Sequence, residues 1–446
     1  LSCQSDDVPQ YTGSYQGSSS ADLGDDDPTV SVGYRWEDLL PDEIPVLSIT
    51  TEGEVEVVSR EEYTKASADL SAFSEELSFE NRSVSLRCRG NFSYYGKGVQ
   101  KKSYRLKFDE KVNLLGIGQG ASRNWVLLAN WSDRSLLRNT AAFAMASCLR
   151  FSFTSSTTFV HLFVNGEDLG IYQLCEHPTL NKSRISLSQD SLQVDSDYLL
   201  ELDNRAYKTG QEGIDYFTAA GNEFVVKNKE IAEDTFSFLQ EWIEELYRVL
   251  QEGSQEEIEE LIDTDSFVDM YLLQEMVCNY DVGWASFYLI KKAGGKLYCT
   301  FPWDFDLAFG NDTELNGGSY EGLYVGNPAY LGTKNCNEML VYLMEKTWFV
   351  DLVAARWEEI GSTLRDRALY EISRYYTSWG DQLASNFSVW NILGTYFFPL
   401  PAEIYQLTSY SQLYTQLYRW IENRYEWLTD YFQSEESRYL TCIEEN

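Results

Sequence analysis

The chain has 446 residues, of which 43% are hydrophobic and 15% aromatic, enough apolar material for a large core in one to three domains. Its 70 Asp and Glu against 35 Lys and Arg give a formal charge of −35, which argues against nucleic-acid binding because phosphates demand a positive footprint. No stretch of about 18 apolar residues runs uninterrupted, so no membrane-spanning helix is expected.

The first residues, "LSCQSDD", put Cys3 behind Leu1 and Ser2 and lead into a polar tract rich in Ser, Gly and Asp. This resembles the end of a bacterial lipoprotein signal peptide, with Cys3 as the lipidated residue and residues 1–40 as a flexible tether. It implies an exported, cell-surface protein that meets a membrane only through attached lipid. The other cysteines (Cys88, Cys148, Cys175, Cys278, Cys299, Cys336 and Cys442) include no CxxC, and there are two histidines, so a zinc knuckle or His-rich metal centre is not expected. Most of these cysteines read as small buried hydrophobes, and a Cys336–Cys442 bridge is compatible with export.

Residues 41–230 read as a β-rich lobe. "IPVLSITT" (44–51), "SVSLRCRG" (83–90) and "SYRLKF" (103–108) have strand character. "TFVHLFVNGEDLGIYQLCE" (158–176) predicts a hairpin about Asn165-Gly166, since that dipeptide tolerates the positive φ of a tight turn. "RSLLRNTAAFAMASCLR" predicts a helix capped by Ser132 or Asp133. Strands follow at "SDYLLELD" (196–203) and "NEFVVKN" (222–228), and "GIGQG" (116–120) reads as an ordinary turn because no helix opens behind it. Residues 231–446 read as a helical lobe with apolar residues three and four apart, interrupted by a β hairpin at 286–301 that turns at Gly294-Gly295.

That hairpin leads into "YCTFPWDFDLAFG" (298–310), where Asp304 and Asp306 stand among aromatic and apolar residues. Carboxylates there cost free energy unless paired, hydrogen-bonded or bound to a cation. Upstream, a helix over 265–279 ends in a loop that carries Asp281. Helix, loop Asp, tight hairpin and Asp-Phe is the order of parts in the active-site half of protein kinases. In the β-rich part, "RCRGNFSYYGKGVQKKSYRLKFDEK" (87–111) concentrates Arg and Lys around Gly90, Gly96 and Gly98 in an otherwise acidic chain. A glycine loop that brings N–H groups close, beside a strand lysine, suits an anionic ligand.

Together, "RGNFS", "KKSYRLKF", "NWVLLANWSDRSLLRN", "VNGEDLGIYQLCE", "YLLELD" and "GKLYCTFPWDFDLAFG" resemble, in order, the CotH family of spore-coat-protein-H-like kinases. The resemblance implies an α+β, atypical protein-kinase-like fold, ATP with Mg²⁺ or Mn²⁺, and phosphorylation of Ser or Thr on a protein substrate by a monomer. It implies Asp281 as the catalytic Asp and Asp304 as a metal ligand. Arg89, Gly90 and either Lys102 or Lys107 would meet the nucleotide, with Glu176 near it as a hinge residue or lysine partner.

Two positions depart from the kinase pattern. Five residues after the catalytic Asp, kinases carry a metal-binding Asn; here the residue is Ser286, a shorter ligand. Asp306 replaces the Gly of Asp-Phe-Gly and reads as either a second carboxylate on the metal or a cap for the residues that follow. The alternatives are a catalytically silent surface binding protein of the same fold and a glycoside hydrolase with paired carboxylates.

Overall fold

The computed structural model describes residues 8–9, 40–118, 120–181, 184–206 and 215–442. Cys3 and nearly all of the expected tether lie outside them. The architecture is α+β, and its first unit is a closed seven-stranded barrel. The strands are β1 (Val46–Thr51), β2 (Thr64–Ser71), β3 (Phe79–Arg89), β4 (Ser103–Val112), β5 (Ser122–Leu128), β6 (Thr157–Val164) and β7 (Glu167–Glu176). They run in the order β1-β2-β3-β4-β5-β7-β6, and β6 closes the barrel by pairing parallel to β1.

Alternation dictates which face of the β3–β4 ribbon is apolar. Val84, Leu86, Cys88, Tyr104, Leu106 and Phe108 are buried in the core. The intervening residues, Arg87, Arg89, Arg105 and Lys107, share the opposite face. The β6–β7 hairpin turns at Asn165 (φ 51°) and Gly166 (φ 78°), as the Asn-Gly dipeptide predicts.

A second sheet contains β8 (Tyr198–Leu202), β9 (Tyr216–Ala219), β10 (Asn222–Val226), β11 (Phe287–Lys291) and β12 (Leu297–Cys299), in the order β12-β11-β8-β10-β9. The chain does change from strand to helix near residue 230. In space, however, β8 to β10 belong with β11 and β12, because β8 pairs with β11 from Phe287↔Leu202 to Lys291↔Tyr198. This pairing sets residues 203–205 beside the loop that carries Asp281.

Two helices interrupt the barrel strands, α1 (Phe92–Tyr95) and α2 (Arg138–Ala146). The helical part comprises α3 (Thr235–Glu252), α4 (Gln255–Leu261), α5 (Thr264–Val277), α6 (Glu338–Met344), α7 (Thr347–Val389), α8 (Ala402–Tyr405), α9 (Tyr410–Gln433) and α10 (Glu435–Arg438). Helix α5 is buried on every side from Ser266 to Val277, the pattern of a central helix rather than a surface one. Its Glu275 accepts hydrogen bonds from the amides of Tyr324 and Val325 and pairs with Arg424 of α9 at 2.9 Å, so the buried charges are matched.

The helix expected from Ser132 onward starts at Arg138. Asp133 binds the turn before it, accepting from the amides of Ser135 and Arg138 and pairing with the Arg138 guanidinium at 2.7 Å. The Cys336–Cys442 bridge is not formed: Cys336 Sγ faces the carbonyl of Asn327 and Cys442 Sγ that of Met344.

Candidate active site

Helix α5 stops at Cys278, which adopts a left-handed conformation (φ 47°), and the chain turns into the Asp281 loop. The carbonyl of Asp281 accepts from the amides of Trp284 (2.8 Å) and Ala285 (2.9 Å), a tight turn that fixes the residue. Gly283 donates to the carbonyl of Lys334 at 2.8 Å. A Cβ at Gly283 would lie 1.9 Å from the carbonyl oxygen of Cys336, so this approach admits only glycine. Ser286 (φ 59°) turns the chain into β11.

The β11–β12 hairpin returns the chain to Phe301, Pro302 and Trp303, then to Asp304, whose φ of 72° is left-handed and whose side chain is exposed. Non-glycine residues held there cost about 1–3 kcal/mol, which the surroundings must offset. Here the start of α2 does so. Asn139 Oδ1 accepts from the Phe305 amide at 2.9 Å, and Arg138 Nε donates to the Ala308 carbonyl at 3.1 Å. Asn311 Nδ2 donates to the carbonyls of Ser132 and Asp306. Phe143 stacks on Trp303 and meets Phe305 edge-on, with ring centroids 5.7 and 6.1 Å apart. The aromatic neighbours therefore wall the loop from behind.

The two loops form one electrostatic cluster. Arg205, just past β8, lies with Nη1 3.8 Å from Asp281 Oδ2 and Nε 3.1 Å from Asp203 Oδ1. Burial raises the Asp281 carboxyl above its usual range; Arg205 and Lys334 oppose that shift, while Asp304 and Asp203 add to it. Burial, then Asp304, Asp133 and Asp281, push Asp306 well above the usual carboxylate range. Asp312 is pushed up to about 7, first by burial and then by Glu314 and Asp281. Several carboxylates that resist ionising together are an environment short of positive charge.

Among the described residues, no group of three or more His, Cys, Asp and Glu side chains is gathered closely enough to chelate a metal unaided. A Mg²⁺ ion takes one or two carboxylates and completes its shell with phosphate oxygens and water. Asp304 and Asp306, the carboxylates expected to hold it, interact electrostatically with each other and with Asp281. The Ser286 hydroxyl makes no hydrogen bond to a described residue, and the Asn311 Oδ1 and Asp312 Oδ2 oxygens are buried without a hydrogen-bond partner among them.

The nucleotide-binding candidates separate. Arg89 faces the Asp304 loop, its guanidinium 5.5 Å from the Trp303 ring centroid. Gly90 (φ 86°) makes the bend after β3, where a Cβ would lie 1.9 Å from Ser93 Oγ. Lys102 precedes β4 and turns its ammonium back onto the carbonyls of Tyr94 (2.8 Å) and Val99 (3.4 Å), bracing the glycine loop. Lys107 is exposed, 5.8 Å from the Tyr63 ring centroid. Glu176 is fully buried at the end of β7 and pairs with Arg184 at 3.3 Å, while Gly118 presses against its carboxylate. Sequence reasoning missed Arg205, Asp203, Lys334 and Asn139, and it counted Arg105 in the basic 87–111 segment without singling it out as a site residue. Arg105 alone carried a readable signal, since it shares a strand face with Lys107.

A family model described as CotH kinase protein matches residues 86–428. The chain belongs to the CotH kinase protein family. No curated protein matches it. The span shared with the CotH family runs from Leu86 in β3 to Leu428 in α9 and contains the arginine face of the ribbon, Arg205, Asp281 and Asp304. Strands β1 and β2 precede that span.

Proposed function

We propose that this CotH family member is a protein kinase that transfers the γ-phosphoryl group of ATP to a Ser or Thr hydroxyl of an exported protein, at the cell surface. The observation that carries the reading is the convergence of Asp281 with Asp304 beside Arg205, delivered by two loops 23 residues apart. Asp281 accepts the proton of the attacking hydroxyl; the new bond forms from that oxygen to the γ-phosphorus as the bond to the β-phosphate oxygen breaks and ADP leaves. Arg205 favours the ionised form of Asp281 against the effect of burial and orients it for this. Asp304 and Asp306 would hold Mg²⁺, which when bound neutralises phosphate charge. Left-handed backbone at both Ser286 and Asp304 supports a site held in one geometry before substrate arrives.

The test is transfer of label from Mg-ATP to the protein itself or to Ser-rich exported proteins. Asp281→Asn and Asp304→Ala should each reduce transfer to background, and equal labelling by parent and both variants would remove the assignment. A second reading, a binding protein without transfer, draws on Ser286, whose hydroxyl stands in the place of the metal-binding Asn. Nucleotide binding without any labelling would favour it.

A further inference from the structure

Arg87 and Arg105 are direct partners in the β3–β4 register, and Arg89 lies one step along the same face, opposite Ser103. Like charges directly opposite each other destabilise a ribbon unless an anion lies between them. Among the described residues none of the three forms an ion pair with a carboxylate, although 70 Asp and Glu are available in the chain. Their basic neighbours differ. Arg184 has Glu176, and Lys227 has Glu201. Arg87 is engaged otherwise: its guanidinium donates to the carbonyls of Arg60 and Glu61 and sits 4.9 Å from the Tyr63 ring centroid. Arg105 Nε, like Arg87 Nε, is buried with no hydrogen-bond partner among the described residues, but no guanidinium nitrogen of Arg105 donates to a described carbonyl as those of Arg87 do.

We infer that Arg89 and Arg105 form a cradle for the phosphate chain of the nucleotide, and that this pair, rather than Lys102 or Lys107, supplies its positive charge. Arg89 stands over Trp303, the residue before Asp304, so an anion held by the pair lies beside the carboxylate that would carry the metal. Guanidinium groups match phosphate oxygens in two-point contact, which a lysine does not. The surroundings agree. His177, with Arg105, Arg89, Arg184 and Lys227 around it, is held neutral by burial and by those four cations, and its Nδ1 meets Thr179 Oγ1 at 2.9 Å. The proposal rests on the phosphotransfer reading for the use of the anion, but not for its binding.

Inorganic tripolyphosphate, ATP and adenosine are titrated calorimetrically into the full chain and into Arg89→Met, Arg105→Met and Lys107→Met. The two arginine variants should each lose about tenfold or more in affinity for tripolyphosphate and ATP, as removal of a charge-assisted contact predicts, with adenosine unaffected. Lys107→Met should stay within about twofold of the parent, the size of effect left when a screened surface charge is removed. Without ligand, Arg105→Met should melt at or above the parent temperature, because Arg105 has no carboxylate partner to lose. A residue that merely braced the fold would melt lower. Parent-like polyphosphate affinity in both arginine variants overturns the inference, as does a parent that binds no polyphosphate. Arginine-dependent binding with no phosphate transfer leaves the cradle standing and removes the kinase reading.

Discussion

Arg205 bridges two carboxylates from different parts of the chain, with Nε 3.1 Å from Asp203 Oδ1 and Nη1 3.8 Å from Asp281 Oδ2. Its own basicity is raised by Asp203, Asp281 and Asp304 together, against the cost of burial. Burial drives the Asp281 carboxyl upward, and a cation so placed opposes that shift and favours the ionised form without cancelling the rise.

Arg205→Ala should therefore lower kcat by roughly 10- to 100-fold, less than the roughly 10²- to 10⁴-fold associated with the general base itself, since Arg205 only positions it. The acid limb of the pH–rate profile should move to higher pH, because Asp281 loses the charge that holds its carboxyl down. Arg205→Lys should restore the limb in part. Steady-state kinetics across pH checks this, and an unmoved limb would show that Arg205 acts only on the fold.

The legible and illegible parts of this site differ in how far their signals travel along the chain. Asp304 was readable because a charge in an aromatic run demands an explanation, and Asp281 because a hairpin separates it from Asp304 at a recognisable distance. Both signals are local. Arg205 was not readable, because its place depends on β8 pairing with β11 and on the Asn204 amide donating to the Trp284 carbonyl at 2.8 Å. No periodicity in "YLLELDNR" announces a partner some 80 residues away. Arg105 was readable in principle: alternation along β4 puts it on one face with Lys107. The kinase pattern instead drew attention to lysines, one of which lies outside the strand and bonds to its own loop. The barrel closure, by parallel pairing of β1 with β6, also rests on contacts far apart in sequence.

Asn139 offers a test of how the Asp304 loop is held. Its side chain accepts from the amide of Phe305, a buried bond between α2 and the residue after the left-handed Asp304. Asn139→Ala leaves that amide without its partner, at a cost of about 1–3 kcal/mol. Stability by urea titration should fall by that amount, and phosphate transfer should fall further than stability explains, since Asp304 becomes free to relax. Asn139→Asp keeps the acceptor but loses the Nδ2 donor to Asn130 and adds a buried carboxyl to a site short of positive charge, so it should recover part of both only at acidic pH, where that carboxyl is protonated. Equal loss in the two variants at acidic pH would point to packing rather than the hydrogen bond.

Asp312 gives the clearest pH prediction. It is 2% exposed; Oδ1 accepts from the Glu314 amide at 2.6 Å, and Oδ2 has no hydrogen-bond partner among the described residues. Burial moves its pKa from 3.8 to about 7, so the folded protein binds this proton more tightly than the unfolded chain does. Stability from this group is fully present below the unfolded value and is lost as pH rises between the unfolded pKa and about 7. Asp312→Asn keeps the acceptor for Glu314 and removes the ionisation. The variant should be more stable than the parent by about 2–4 kcal/mol near pH 8, and the margin should shrink steadily toward pH 5. Urea midpoints measured at both pH values check the slope. A margin that does not change with pH would mean that Asp312 ionises in the folded protein as it does in the unfolded chain.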